Sequence, residues 1–220
     1  MDHERQGKDM NEEIQNLLYT VPVAAQTYTD DLSDLDKEDI PRERIPRMKA
    51  VMRDGEDAYD SLRAGIVLAS WGDDDGFSFL EEYVFNRQPS SEVLMPHRLW
   101  GYDDSPTQVL SALVSYWATL SDDGQGELAR SSLFRPVSRI IQLSNVLPFE
   151  IAGFFPLIRR EGYVEYLPAI KEHFAAILKD PRLHHWKIVD CAKLLMQFDA
   201  SFVEKSLAAH GKTLADFQAP

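Results

Sequence analysis

Apolar residues recur at three- and four-residue spacing along most of the chain. No alternating segment of useful length appears, so the pattern predicts helices and no sheet. The clearest run is Glu56 to Trp71, polar at Asp57, Asp60, Ser61 and Arg63 and almost wholly apolar from Ala64 onward. A helix so apolar must be covered on more than one side. Gly72 closes it, and Asp73, Asp74 and Asp75 open the next helix, where carboxylates suit the positive end of a helix dipole. Upstream, the polar stretch 1–12 reads as frayed, Glu13 to Tyr19 as a short helix, and Pro46 to Arg53 as another that ends at Asp54-Gly55. Between them lies the acid-rich stretch Thr29 to Asp39. It reads as a solvated loop or as a helical turn anchored by Leu32 and Leu35.

Helical spacing lapses from Asn86 to Asp104, a long irregular loop holding Pro89, Pro96, His97, Arg98, Leu99, Trp100 and Tyr102. A loop of that length inside a compact fold usually has a task. Its aromatic and arginine side chains suit either an interface or a loop pinned to its own domain through Leu99 and Trp100. Ser105-Pro106-Thr107-Gln108 reads as a capping box with proline at the first helical position. It starts a helix that ends at Asp122-Asp123-Gly124. The next helix, from Gly126 to about Ser144, is expected to bend at Pro136. Phe149 to Arg159 and Val164 to Leu178 form a further pair interrupted by Pro156 and Pro168. A last pair begins at Asp180-Pro181 and runs to Gly211.

This last pair repeats an earlier one. Tyr59 aligns with Trp186, Leu62 with Val189, Ala64-Gly65 with Cys191-Ala192, Leu68 with Leu195, and Trp71 with Phe198. After the turn, residues 79–84 align with 202–207. The turn at Phe198-Asp199 is four residues shorter than its counterpart. Paired helices with matching small and large positions resemble HEAT-like α-helical repeats, a resemblance covering about Glu56 to Gly211. It implies an irregular all-α stack in a single domain, whose neighbours cover one another's apolar faces. The expected organisation is an acidic N-terminal segment over 1–55 that packs on the repeats, a repeat domain over 56–211 with its loop at 86–104, and a tail over 212–220. Lys187, Asp190, Lys193 and Gln197 form the narrow polar stripe of the last pair.

Charge narrows the partner. The 220 residues carry a net charge of −13, all of it within the first 150 positions, while residues 151–220 are close to neutral. Such a surface repels a phosphate backbone and favours a basic protein, so direct nucleic-acid binding is not expected. The single cysteine, Cys191, excludes an internal disulfide framework and reads as an inert buried thiol. The N-terminus lacks the apolar core of a secretory signal, and no apolar stretch is long enough to span a membrane. The expectation is a cytoplasmic protein without membrane contact.

Candidate chemistry is thin. Asp73, Asp75 and Glu82 would fill positions three, five and twelve of a calcium loop with Gly76 at six, but the first ligand position falls on Trp71. His184 and His185 are adjacent and point about 100° apart on a helix, a poor arrangement for one metal ion. Cys191 and His185 face nearly opposite sides of their helix. No phosphate-binding glycine loop, HExxH or GxSxG occurs. No cofactor, metal or catalytic residue is assigned, and the expected function is non-catalytic protein binding. In type and general character the chain resembles bacterial toxin immunity proteins, which implies a cognate basic toxin, possibly a nuclease, as partner. The expected contact residues are Asp73, Asp74, Asp75, Glu81, Glu82, His97, Arg98, Trp100, Tyr102, Asp103 and Asp104. The alternatives are a general HEAT-like scaffold or adaptor and, third, a helical-repeat enzyme using His97, His173 or His185.

Overall fold

The computed structural model describes residues 12–217. The expected frayed stretch 1–12 therefore lies almost entirely outside the described residues. Among the described residues the fold is all-α. Its helices are α1 (12–19), α2 (Ile45–Asp54), α3 (Ala58–Ser70), α4 (Asp74–Asn86), α5 (Ser105–Asp122), α6 (Gly126–Ser144), α7 (Phe155–Arg160), α8 (Leu167–Ile177) and α9 (His185–Ala209). A single isolated bridge, Pro96 with Asp103, is the only β pairing among them. None of these helices is long and apolar enough to cross a membrane. Contacts group the chain into two compact units, Met1–Asn86 with Ser111–Leu133 and Arg87–Leu110 with Phe134–Pro220.

In the first unit the N-terminal segment packs on α3. Leu18, Val21, Ala25, Leu32, Met48, Val51 and Met52 form one buried cluster with Ala64, Val67, Leu68 and Trp71. The acid-rich stretch adopts the anchored alternative, not the solvated loop. Two 3-10 turns, Leu32–Asp34 and Lys37–Asp39, place Leu32 in that core. Two bonds hold them there: Trp71 Nε1 donates to the Leu32 carbonyl at 2.6 Å, and the buried Arg63 donates to Asp31 at 2.7 Å. A helix N-cap at Asp57, whose carboxylate accepts from the Tyr59 and Asp60 amides, starts α3. Gly72 ends it with φ +80°, a conformation only glycine enters without strain. Asp73 then caps α4 by accepting from the Asp75 and Gly76 amides. The two helices touch closely enough that a Cβ on Gly76 would stand 2.6 Å from the Ala69 nitrogen.

The second unit is built on large aromatics. Phe149, Phe154, Tyr166 and Phe174 are fully buried. Tyr166 sits among Phe154 at 4.7 Å, Phe134 at 5.4 Å and Tyr163 at 6.4 Å between ring centres. Pro156 and Pro168 do not interrupt helices, as the sequence suggested. Each lies in the first turn of α7 or α8, where no intrahelical donor is lost, and short 3-10 turns, Ala152–Phe154 and Val164–Tyr166, lead into them. Pro136, by contrast, lies inside α6, which runs through it. The predicted turn at Phe198-Asp199 appears as a break in α9 at Asp199. That residue's carboxylate caps the second half through the Phe202 amide and pairs with Lys171 at 2.5 Å. The segment expected as a tail folds back: Leu214–Phe217 forms a 3-10 turn that buries Phe217 near His185.

The two aligned segments agree in burial at most positions, although Leu62 is buried and Val189 only partly so. Leu68 and Leu195 are buried, as are Ala64 and Cys191, Leu80 and Val203, and Val84 and Leu207. The pair Trp71 and Phe198 differs, since Trp71 is 7% exposed and Phe198 40%. The reason is the N-terminal segment, which covers Trp71 through Leu32.

Candidate protein-binding surface

Asp73, Asp74 and Asp75 are engaged within the fold of the first unit. Lys49 reaches Asp73 at 2.7 Å and Asp75 at 3.0 Å, Arg53 reaches Asp75 at 2.6 Å, and the Tyr116 hydroxyl donates to Asp74 at 2.7 Å. The hydrogen bond from Lys49 holds the Asp75 carboxyl below its ordinary range. Asp73 and Asp75 clamp α2 to the start of α4 while Asp74 ties it to α5, and the expected free acidic patch at 73–75 is not what they form. Glu82 is exposed on α4, and Glu81 is partly buried beside it. Asp74 also lines an open polar cleft of about 230 Å³ with Lys37, Arg42, Trp71 and Asp123.

The second unit presents the other six expected residues on one hairpin. Residues 95–104 double back through three backbone bonds: His97 N to Tyr102 O at 2.7 Å, Gly101 N to His97 O at 2.9 Å, and Asp104 N to Met95 O at 2.7 Å. Gly101 supplies the turn with φ +69°. The His97 and Tyr102 rings stack at 4.6 Å across the hairpin. Asp103 is the buried centre of this loop and not a contact residue. It pairs with Arg87 and accepts from the Leu94 and Met95 amides at 3.1 and 2.9 Å and from the Ser105 hydroxyl at 2.5 Å. The side chains of Arg87 and Asp103 are only 5% and 8% exposed. Ser105 is thereby drawn inward. The cap position of α5 falls instead on Asp104, whose carbonyl accepts from Thr107 and Gln108.

What the bracing holds outward is apolar. Leu99 is 77% exposed and Trp100 69%, so neither packs down as a pinned loop would require. The Trp100 indole lies near-parallel to Trp186 at 6.5 Å. Arg98 is exposed beside them. Around the base of the hairpin stand acids: burial, then Asp190 and Asp104, push the Glu150 carboxyl up, and burial, then Asp104 and Glu150, push the Tyr102 hydroxyl to about 12. This combination of an exposed tryptophan and leucine on a hydrogen-bonded support, with carboxylates at its foot, can dock a partner that carries positive charge.

No family model, curated protein or solved structure matches this chain. The site therefore rests on its own geometry.

Behind the hairpin is a group of bases that the sequence placed differently. Lys187, read as part of a polar stripe, is 3% exposed. Its ammonium donates to the carbonyls of Ser144 and Leu147, both at 2.7 Å, and to the Ser144 hydroxyl at 3.1 Å. These acceptors lie at the C-terminal end of α6, where the helix dipole favours a cation. His173 Nδ1 meets Asn145 Oδ1 at 2.7 Å. His184, not His185, shares the buried site with His173. Burial pushes the Cys191 thiol up, which keeps it protonated and unreactive.

Proposed function

We propose that this chain is a non-catalytic protein-binding protein that docks a basic partner through the tip of the hairpin 95–104. The observation that carries this reading is the exposure of Leu99 and Trp100 on a loop braced by the buried Arg87–Asp103 pair. An apolar tip would ordinarily be drawn into its own core, because burying a large side chain contributes about 1.5–3 kcal/mol. Here the fold spends a buried ion pair to hold it out. The net charge of −13, with Asp104 and Glu150 near the tip, supports a cationic partner. Within this reading the partner is a cognate toxin with a basic substrate-binding surface, and the chain is its immunity protein, with HEAT-like helix pairs as the scaffold.

Because Trp100 is mostly exposed, Trp100→Ala should alter stability by less than about 1 kcal/mol. A central tryptophan anchor typically carries 2 kcal/mol or more of binding, about thirtyfold in affinity. Parallel captures from the native host with wild-type and Trp100→Ala baits test this. The expected result is one basic protein, encoded beside this chain, retained by the first bait and lost from the second. Equal recovery with both baits would reject the hairpin as the docking face.

A further inference from the structure

We propose that acidification releases the docking hairpin through the buried base cluster of Lys187, His173 and His184 at the end of α6, a regulation that rests on the docking reading above. Three basic side chains converge on one helix end, and all are nearly inaccessible, His173 at 0%, His184 at 2% and Lys187 at 3% exposure. Lys187 uses all its donors on Ser144 and Leu147. With its proton on Nδ1, His173 donates to Asn145, and among the described residues its Nε2 is buried with no partner. His184 Nδ1 is likewise buried without one. A second proton on His173 would thus create an N–H facing no acceptor, next to a cation already in place. Burying such a donor is unfavourable in itself, and like charge adds to it.

The other titratable groups facing the cluster offset this only in part. Asp180, in the turn after α8, favours the proton on His184, and Glu150, in the loop after α6, favours it on Lys187, yet burial leaves both lowered; the buried Cys191 on α9 is a neutral thiol. None of the three carboxylates near the cluster, Asp180, Glu150 and Asp190, is within ion-pair distance of Lys187 among the described residues. Burial, then Lys187 and His184, lowers His173 to about 3. Burial, then Lys187, lowers His184 to about 4.

An opened segment binds these protons near the ordinary value of about 6.5. Opening is therefore favoured as pH falls through about 6.5, tenfold per pH unit for each histidine and up to about a hundredfold for both. Lys187, lowered by burial to about 7, acts in the same direction at higher pH, since closure strengthens as pH rises from 7 toward about 10.5.

The link to the docking tip is Trp186. It lies between His184 and Lys187 in sequence, and its indole is stacked with Trp100 at 6.5 Å. Opening the first turns of α9 removes the Trp186 ring against which the mostly exposed Trp100 indole stacks.

Hydrogen exchange on the full chain without any partner, from pH 7.5 to 4.5 and corrected for intrinsic rates, tests the coupling. The expected result below pH 6 is an opening constant for residues 183–198 that grows between ten- and a hundredfold per pH unit, with residues 95–104 opening alongside. His184→Gln and His173→Gln should each reduce that growth by about tenfold per unit. If His173→Gln fails to fold at pH 7.5, His184→Gln alone decides. A growth under about threefold per unit, a slope unchanged in a folded variant, or a hairpin still protected while 183–198 opens would each overturn the proposal. The docking reading fails on a separate result, retention of the partner by Trp100→Ala at pH 7.5.

Discussion

Asp103→Ala is expected to lower the unfolding free energy of this protein by about 3–5 kcal/mol, the usual loss when one partner of a buried ion pair is removed. Asp103 is more than a counter-ion. Besides Arg87 it accepts from the Leu94 and Met95 amides and the Ser105 hydroxyl, so its loss strips several buried donors of their acceptor at once. Asp103→Asn keeps an oxygen for the amides but loses the charge, and should cost less than the alanine change. Urea unfolding followed by circular dichroism measures both. Hydrogen exchange should show that protection is lost first over residues 94–105, since that is where the acceptors vanish. A loss under about 1 kcal/mol for Asp103→Ala would mean that the hairpin is not held by this pair.

The second large effect is expected at Gly76, buried where α4 leaves the capped turn and crosses α3. A methyl group there would stand 2.6 Å from the Ala69 nitrogen, 2.7 Å from the Leu68 Cβ and 2.9 Å from the Leu68 carbonyl carbon. Two of those atoms are backbone within α3, which cannot swing aside as a side chain can. Gly76→Ala gains about 0.5–1 kcal/mol of helix propensity, but overpacking of this kind costs about 1–3 kcal/mol and sometimes more. The clash should win, for a net loss of about 2 kcal/mol or more in the unfolding free energy. Gly65→Ala meets the ring of Phe79 at 2.5 Å instead. That partly exposed ring can rotate away, so the change should be milder. A Gly76→Ala protein as stable as wild type would show that α3 and α4 do not approach this closely.

These two residues also show what the sequence could and could not display. The helices were legible because a three-to-four-residue period is a local property, and the start of α4 at Asp73 to Asp75 followed from local chemistry. The repeat alignment placed the break at Asp199 and paired positions whose burial agrees, such as Leu80 with Val203. Function-bearing placement depends on contacts far apart in sequence, and there the local pattern misled. Asp73, Asp74 and Asp75 looked like a free acidic patch because Lys49, Arg53 and Tyr116, which engage them, lie 22 to 42 residues away along the chain. Lys187 sits on a polar stripe by helical spacing, yet the end of α6 swallows it, with acceptors 43 and 40 residues upstream. Asp103 and Asp104 were indistinguishable as adjacent loop acids, although one is the buried hub and the other a helix cap. The exposed pair Leu99 and Trp100 was visible as a motif. Only the bonds of the hairpin show that it points outward.

The central claim is that a partner seats on that pair, and a photoreactive amino acid at position 99 tests it most directly. Introduced into the full chain in its native host and activated by light, it should crosslink to one basic protein in good yield, while the same group at Glu82 on α4 should not. Crosslinking at position 82 with none at 99 would contradict the account and place the contact on the first unit.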